Sequence, residues 1–135
     1  MGLTVVGLDH IALTCADVDA TIAWYERAVG AELQYGDLWR QRAIPVAILQ
    51  VGGSRLSLHE ADSPAAPHAR VPTAGSGDLC FRTGASVDEI LAWFASASIA
   101  VVEGPAPRPA ASGDAGQSVY VRDPDGNLVE LLTTA

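Results

Sequence analysis

Two stretches in opposite halves of the chain repeat one another: "IAWYERA" at 22–28 lies over "LAWFASA" at 91–97, with Trp24 over Trp93 and Tyr25 over Phe94. An internal repeat constrains a fold more than any composition does, because two copies of one supersecondary unit pack around a pseudo-twofold axis. The flanking patterns repeat as well. "LDHIALTCA" alternates as a strand, and "DVDATIAWYERAVGAEL" follows with Val18, Ile22, Tyr25 and Val29 at helical spacing behind the cap residue Asp17. "PVAILQV", the turn residues "GGS" and "RLSLHEA" then read as a hairpin. After the Pro-, Ala- and Gly-rich "ADSPAAPHARVPTAGSG", which reads as a linker, the order begins again. "GDLCFRT" is a strand and "SVDEILAWFASA" a helix opened by a Ser86 to Glu89 capping box. "EGPAPRPAASGDAGQ" reads as a loop, and "SVYVRDPDGNLVELL" closes the chain as a second hairpin.

The hairpins superpose with Gly53 over Gly126 and Ser57 over Glu130, and the first strands with His10 over Asp78, one residue out of step with the helices. These patterns predict an α+β fold of two paired βαβββ modules forming a curved mixed sheet around a central cleft. Residues 1–135 form one domain, with module one at about 5–60, the linker at about 61–76 and module two at about 77–133. A chain of 135 residues, 49% hydrophobic, suits one core rather than two.

Charge removes whole classes of function. Eight Lys and Arg against sixteen Asp and Glu give a net charge of −8 with no basic run, so a phosphate backbone would be repelled and nucleic acid is not expected as a partner. No apolar run reaches the length of a membrane span, and "MGLTVVGLDH" lacks the charged head and apolar run of a signal peptide, so a cytoplasmic protein is expected. Cys15 and Cys80 are far apart in apolar, strand-like surroundings and read as buried reduced thiols.

The paired modules, "LDHIALTCADVDATIAWYERAVGAEL" at the start, "GDLCF" at mid-chain and "VRDPDGNLVELL" at the end resemble the vicinal oxygen chelate superfamily. Its members include glyoxalase I, bleomycin-resistance proteins, fosfomycin-resistance enzymes and extradiol dioxygenases. "RLSLHEA", followed after the linker by "PTAGSGDLCF", is most similar to the group called glyoxalase domain-containing protein 5. In metal-using members one ligand comes from each of up to four related strand positions, and the resemblance implies that these are His10, Ser57, Asp78 and Glu130. A carboxylate on a strand as apolar as "LVELL" is costly to bury unless it is paired, hydrogen-bonded or bound to a cation. The alternatives for Glu130 are an exposed strand position or an ion pair with Arg122 or Arg42. His10 could equally be a hydrogen-bonded strand residue.

A serine hydroxyl is a poor ligand for a divalent ion, so the position of Ser57 departs from the glyoxalase I pattern. His59 lies two residues further on the same strand face, displaced by about 7 Å, and could substitute or could stand as a rim histidine. Asp78 takes the place of a histidine in many relatives, or caps the strand entry after "GSG". His68, in the linker, reads as solvated. His10, His59 and Glu130 together would suit Fe, Mn, Ni, Co or Zn, whereas Asp78 in place of His59 would favour Mn or Mg. Tyr120, ten residues before Glu130, reads as a general acid, a substrate anchor or a packed hairpin aromatic.

Two functions follow from the resemblance. One is a metal-dependent enzyme of lyase, isomerase or dioxygenase type, with a divalent metal as Lewis acid for a small substrate bearing adjacent oxygens and with Glu130 and Tyr120 in catalysis. The other is a metal-free binding or sequestering protein of the bleomycin-resistance type, which the acidic charge and the missing ligand at Ser57 favour. Family precedent implies a homodimer, with the modules pairing within one chain or across two.

Overall fold

A computed structural model describes residues 2–135. The first module runs β1 (His10–Cys15), α1 (Val18–Val29), β2 (Glu32–Gln34), α2 (Gly36–Arg40), β3 (Ala47–Val51) and β4 (Ser54–Glu60). The second runs β5 (Asp78–Arg82), α3 (Val87–Ser96), β6 (Glu103–Pro109), β7 (Ala115–Arg122) and β8 (Leu128–Thr133). Each contributes a four-stranded mixed sheet, ordered β1-β4-β3-β2 and β5-β8-β7-β6, with the first pair parallel and the others antiparallel. The fold is therefore α+β, built from two related modules.

Strand register carries the repeat to the level of single residues. His10 pairs with Arg55 and Ala12 with Ser57. In the second sheet Asp78 pairs with Leu128 and Cys80 with Glu130. His10 thus corresponds to Asp78, and Ser57 to Glu130, as the superposition predicts. The helices α1 and α3 are capped as their sequences indicate: the Asp17 carboxylate accepts from Ala20 N at 3.1 Å, and Ser86 and Glu89 form a reciprocal capping box.

One face of each sheet is closed by its helix. Leu13, Cys15, Leu56 and Leu58 are buried with α1 residues Ile22 and Tyr25, and Val119, Val121, Val129 and Leu131 with α3 residues Ile90 and Phe94. Strand alternation then places His10, Ser57 and His59 on the opposite face of the first sheet, and Asp78, Cys80 and Glu130 on that of the second. Those opposite faces carry no helix.

Three sequence expectations need correction, and the repeat breaks at one position. Helix α1 stops at Val29, because Gly30 adopts a left-handed φ of 66° and terminates it, so Glu32–Gln34 becomes β2 rather than a last helical turn. The segment expected as a loop contains β6; its prolines are tolerated because β6 is an edge strand, where a missing N–H costs no ladder bond on the open side. Cys80 is exposed, since its strand position faces away from α3. Trp93 does not share the burial of Trp24. It is 53% exposed and donates its Nε1–H to the Ala28 carbonyl at 3.1 Å, bridging the modules.

Candidate functional site

The second hairpin turn, "DPDGN", fixes the geometry on which the site depends. Asp123, 5% exposed, accepts four hydrogen bonds: from the Asp125 and Asn127 amides at 3.0 and 2.9 Å, from Asn127 Nδ2 at 2.8 Å and from the Tyr25 hydroxyl of α1 at 2.8 Å. Asp125 accepts from Ala16 N at 3.0 Å, and Asn127 Oδ1 from Gly77 N at 2.7 Å, just before β5. The turn thus sets the phase of β8 and locks module two onto module one. Gly126 is required at φ 86°, which side chains with a Cβ rarely adopt.

β8 then presents Glu130, half-buried, beside Ser118, Tyr120 and Cys80. Ser118, fully buried, donates its hydroxyl to Glu130 Oε2 at 2.5 Å. Neither arginine proposed as a partner for Glu130 fills that role. Arg122 donates to the Gly126 carbonyl at 3.2 Å, and Arg42 lies 3.5 Å from Glu60 and stacks on Trp39. Among the described residues Glu130 forms no ion pair, which leaves a half-buried carboxylate without a countercharge.

Glu130 lines a cavity of about 540 Å³ with Asp78, Arg108, Tyr120, Arg122 and Leu128. The Tyr120 hydroxyl accepts from Arg108 Nε at 2.9 Å. Its ionisation is raised by burial first; the Arg108 hydrogen bond opposes this and the Glu130 carboxylate adds to it, so Tyr120 stays a neutral O–H donor at ordinary pH. Cys80 is pushed up to about 11 by partial burial and then by Glu130 and is held as a thiol.

The histidines gather elsewhere. His10, Thr14, His59, Pro67 and His68 line a second cavity of about 370 Å³ on the open face of the first sheet. His10 Nδ1 lies 2.7 Å from Asp9 Oδ1, an arrangement in which Nδ1–H donates and Nε2 keeps its lone pair for a ligand. His59 is lowered by burial and then by the charges of His68 and His10, which keeps its imidazole neutral. His68, expected in solvent, is exposed but belongs to this cavity. Sequence reasoning missed it because nothing local shows that the linker folds back over β1 and β4.

The structure therefore brings His10 to His59, and Asp78 to Glu130 and Tyr120, but in two different cavities. Within one chain the described residues contain no group of three or more His, Cys, Asp or Glu arranged to hold a metal ion. The donor types nevertheless suit a divalent ion: imidazoles on one open face, and a carboxylate without an ion-pair partner at the matching position of the other. Arg108, in the cavity wall, and Ser118, bonded to Glu130, are neighbours of the candidate residues that sequence reading did not single out.

The Glyoxalase/Bleomycin resistance protein/Dioxygenase superfamily model matches residues 7–131. The virulence protein STM3117 of Salmonella typhimurium is 36% identical over 124 residues, 92% of this chain and 81% of that protein. Its crystal structure superposes with a TM-score of 0.87, covering 98% of this chain and 100% of that one. The glyoxalase domain-containing protein RDO1 of Mycosarcoma maydis is 40% identical over 129 residues, 96% of this chain and 69% of that protein. The lactoylglutathione lyase of Agrobacterium tumefaciens shares 27% identity at a TM-score of 0.70, covering 97% and 96% of the two chains. With the paired modules, the "DPDG" hairpin and these likenesses in agreement, the chain belongs to the glyoxalase, bleomycin resistance protein and dioxygenase superfamily.

Proposed function

We propose that this protein is a metal-dependent enzyme acting on a small molecule with adjacent oxygens, and that its site forms between two copies of the chain. His10 and His59 of one copy face Glu130 of a second, with Asp78 and Tyr120 beside it and the two modules of each chain acting as one domain. The observation that carries this reading is the half-buried Glu130 carboxylate, held by Ser118 but without a countercharge, at the position matching the histidine-bearing face. Two further features support a second copy: the open sheet faces carry the candidate ligands, and Leu3, Val5, Val6 and Leu8 are at least three-quarters exposed in the single chain. No helix of the described residues is long and apolar enough to cross a membrane. The resemblance of the "RLSLHEA" and "PTAGSGDLCF" segments to the glyoxalase domain-containing protein 5 group supports assigning the chain to that group within the superfamily.

Each residue contributes through its own chemistry. His10 and His59 supply imidazole nitrogen donors, and Ser118 orients the Glu130 carboxylate. Tyr120, kept protonated, donates a hydrogen bond to a substrate oxygen or a proton as general acid. A bound divalent ion would supply Lewis acidity to the adjacent oxygens of the substrate.

Elemental analysis of tag-free protein prepared without chelators tests the reading. The wild type is expected to hold a stoichiometric divalent metal that His10→Ala and Glu130→Ala both lose. Unfolding and refolding the two variants together should restore about one quarter of the wild-type metal, because half of a random mixture is hybrid dimer with one intact site of two. No metal in the wild type after addition of Fe, Mn, Ni and Zn would overturn the enzyme reading in favour of a binding protein. Metal in the wild type without recovery in the hybrids would place the site within one chain.

A further inference from the structure

The segment "EGPAPRPAASGDAG" turns from an expected loop into edge strand β6, and so sets Arg108 on the open face of the second sheet. Its pairing with Gly116, which has no side chain, lets the arginine lie along β7 towards Tyr120. The guanidinium is held rather than free. Nε donates to the Tyr120 hydroxyl at 2.9 Å, Nη1 to the Pro107 carbonyl at 2.8 Å, and its centre lies 5.6 Å from the Tyr120 ring centroid. Its nearest carboxylate is that of the exposed Glu103, at 4.0 Å, the outer limit of an ion pair. A chain with net charge −8 thus holds one partly exposed guanidinium in a fixed pose at the wall of a cavity, with donors left over for a further partner.

That pose leaves part of the guanidinium open to a ligand in the cavity. A guanidinium fork and a phenol hydroxyl are the donors that a planar carboxylate accepts from in pairs. The Tyr120 oxygen already accepts from Arg108, so its own proton is left for donation, with the neighbouring Glu130 carboxylate as the acceptor that a substrate oxygen would replace. Glu130 lines the same cavity, so an acid seated on Arg108 has room to turn the oxygen on its neighbouring carbon towards Glu130.

We propose that Arg108 and Tyr120 bind the carboxylate of the substrate, which is a small 2-hydroxy or 2-oxo acid. The inference deepens the metal-enzyme reading and rests on it for the orientation of the second oxygen and for the positive charge of the loaded cavity. Charge agrees with an anion: Asp78, Glu103 and Glu130 against Arg108 and Arg122 leave the cavity at −1, which a divalent ion at Glu130 turns to +1.

The test uses glycolate as probe, with glycolamide as its neutral analogue and methylphosphonate as a tetrahedral oxyanion. Binding is followed by the NMR signal of the Arg108 Nε–H group and by titration calorimetry, with and without Mn(II). Wild-type protein should give a saturable glycolate shift at Arg108 and none with glycolamide. Arg108→Gln should weaken glycolate about ten- to a hundred-fold, the usual loss for a charge-assisted pair. Tyr120→Phe should weaken it several-fold, and Arg108→Lys, which keeps the charge but not the fork, should fall between. Mn(II) binding, read by electron paramagnetic resonance, should be unchanged in folded Arg108→Gln and Arg108→Lys proteins.

Equal glycolate affinity in the wild type and both Arg108 variants, a matching glycolamide response, or no saturable shift would overturn the proposal. Tighter methylphosphonate than glycolate binding would overturn the carboxylate assignment. Glycolate binding at Arg108 in protein that takes up no metal would remove the metal-enzyme reading and leave this one standing. Mn(II) binding without a glycolate response would do the reverse.

Discussion

Replacing Tyr25 by Phe tests the clamp that holds the modules in place. The change removes one oxygen from a side chain that is fully buried, so packing is preserved and no cavity forms. What is lost is the 2.8 Å hydrogen bond to Asp123, leaving Asn127 Nδ2 as the remaining partner of Asp123 Oδ2. Hydrogen bonds to charged groups contribute about 1.5–3 kcal/mol, so Tyr25→Phe should cost about 2 kcal/mol. For a chain of this size that lowers Tm by about 6–10 °C, and it should shift the urea midpoint at fixed protein concentration without changing the slope. The pH dependence adds a second signature. Burial, and then the Asp123 carboxylate, raise the ionisation of Tyr25 far above its ordinary value of about 10. A group raised on folding stabilises fully below its unfolded value and loses that contribution as pH climbs beyond it. The wild type should therefore lose about 1.4 kcal/mol per pH unit above about 10 through Tyr25, and the variant should not. The gap between the two should narrow in that window. A loss below about 0.5 kcal/mol near neutral pH, or a gap that widens above pH ~10, would refute the claim that this bond joins the modules.

Other outcomes follow from neighbouring contacts. Glu130→Gln should speed alkylation of Cys80 by iodoacetamide several-fold near neutral pH, because the carboxylate that helps push the thiol up to about 11 is gone; an unchanged rate would separate the two side chains. Cys15, fully buried and pushed up to about 12 chiefly by burial, should stay unreactive until the protein unfolds. Gly116→Ala should cost about 1–3 kcal/mol by urea titration, since a Cβ there would sit 2.9 Å from the Arg108 carbonyl and 3.0 Å from that of Thr133. A neutral result would mean that β6 yields at this point.

Much of the fold was legible because it rests on local patterns. The capping residues Asp17 and Ser86, the alternation of β1 and β8 and the two hairpins are short-range signals, and all formed as read. β6 was not legible, since prolines argue against a strand unless the strand is known to lie at an edge, and edge position is a property of the assembled sheet. Trp93 looked equivalent to Trp24, yet one is half-exposed between modules and the other buried, because their surroundings are not repeated. The grouping of His68 with His10 and His59 depends on how the linker returns, which no periodicity encodes.

By itself, then, the sequence determined the duplicated module, the phase of β1, β3, β4, β5, β7 and β8, and which of their side chains point away from the helices. These follow from side-chain alternation and helical spacing within a few residues. Only the tertiary structure decided that the two open faces line separate cavities, that Glu130 rests on Ser118 without an arginine, and that Arg108 reaches Tyr120. Those facts depend on through-space distances between segments far apart in the chain, fixed by the Asp123 clamp and by sheet order.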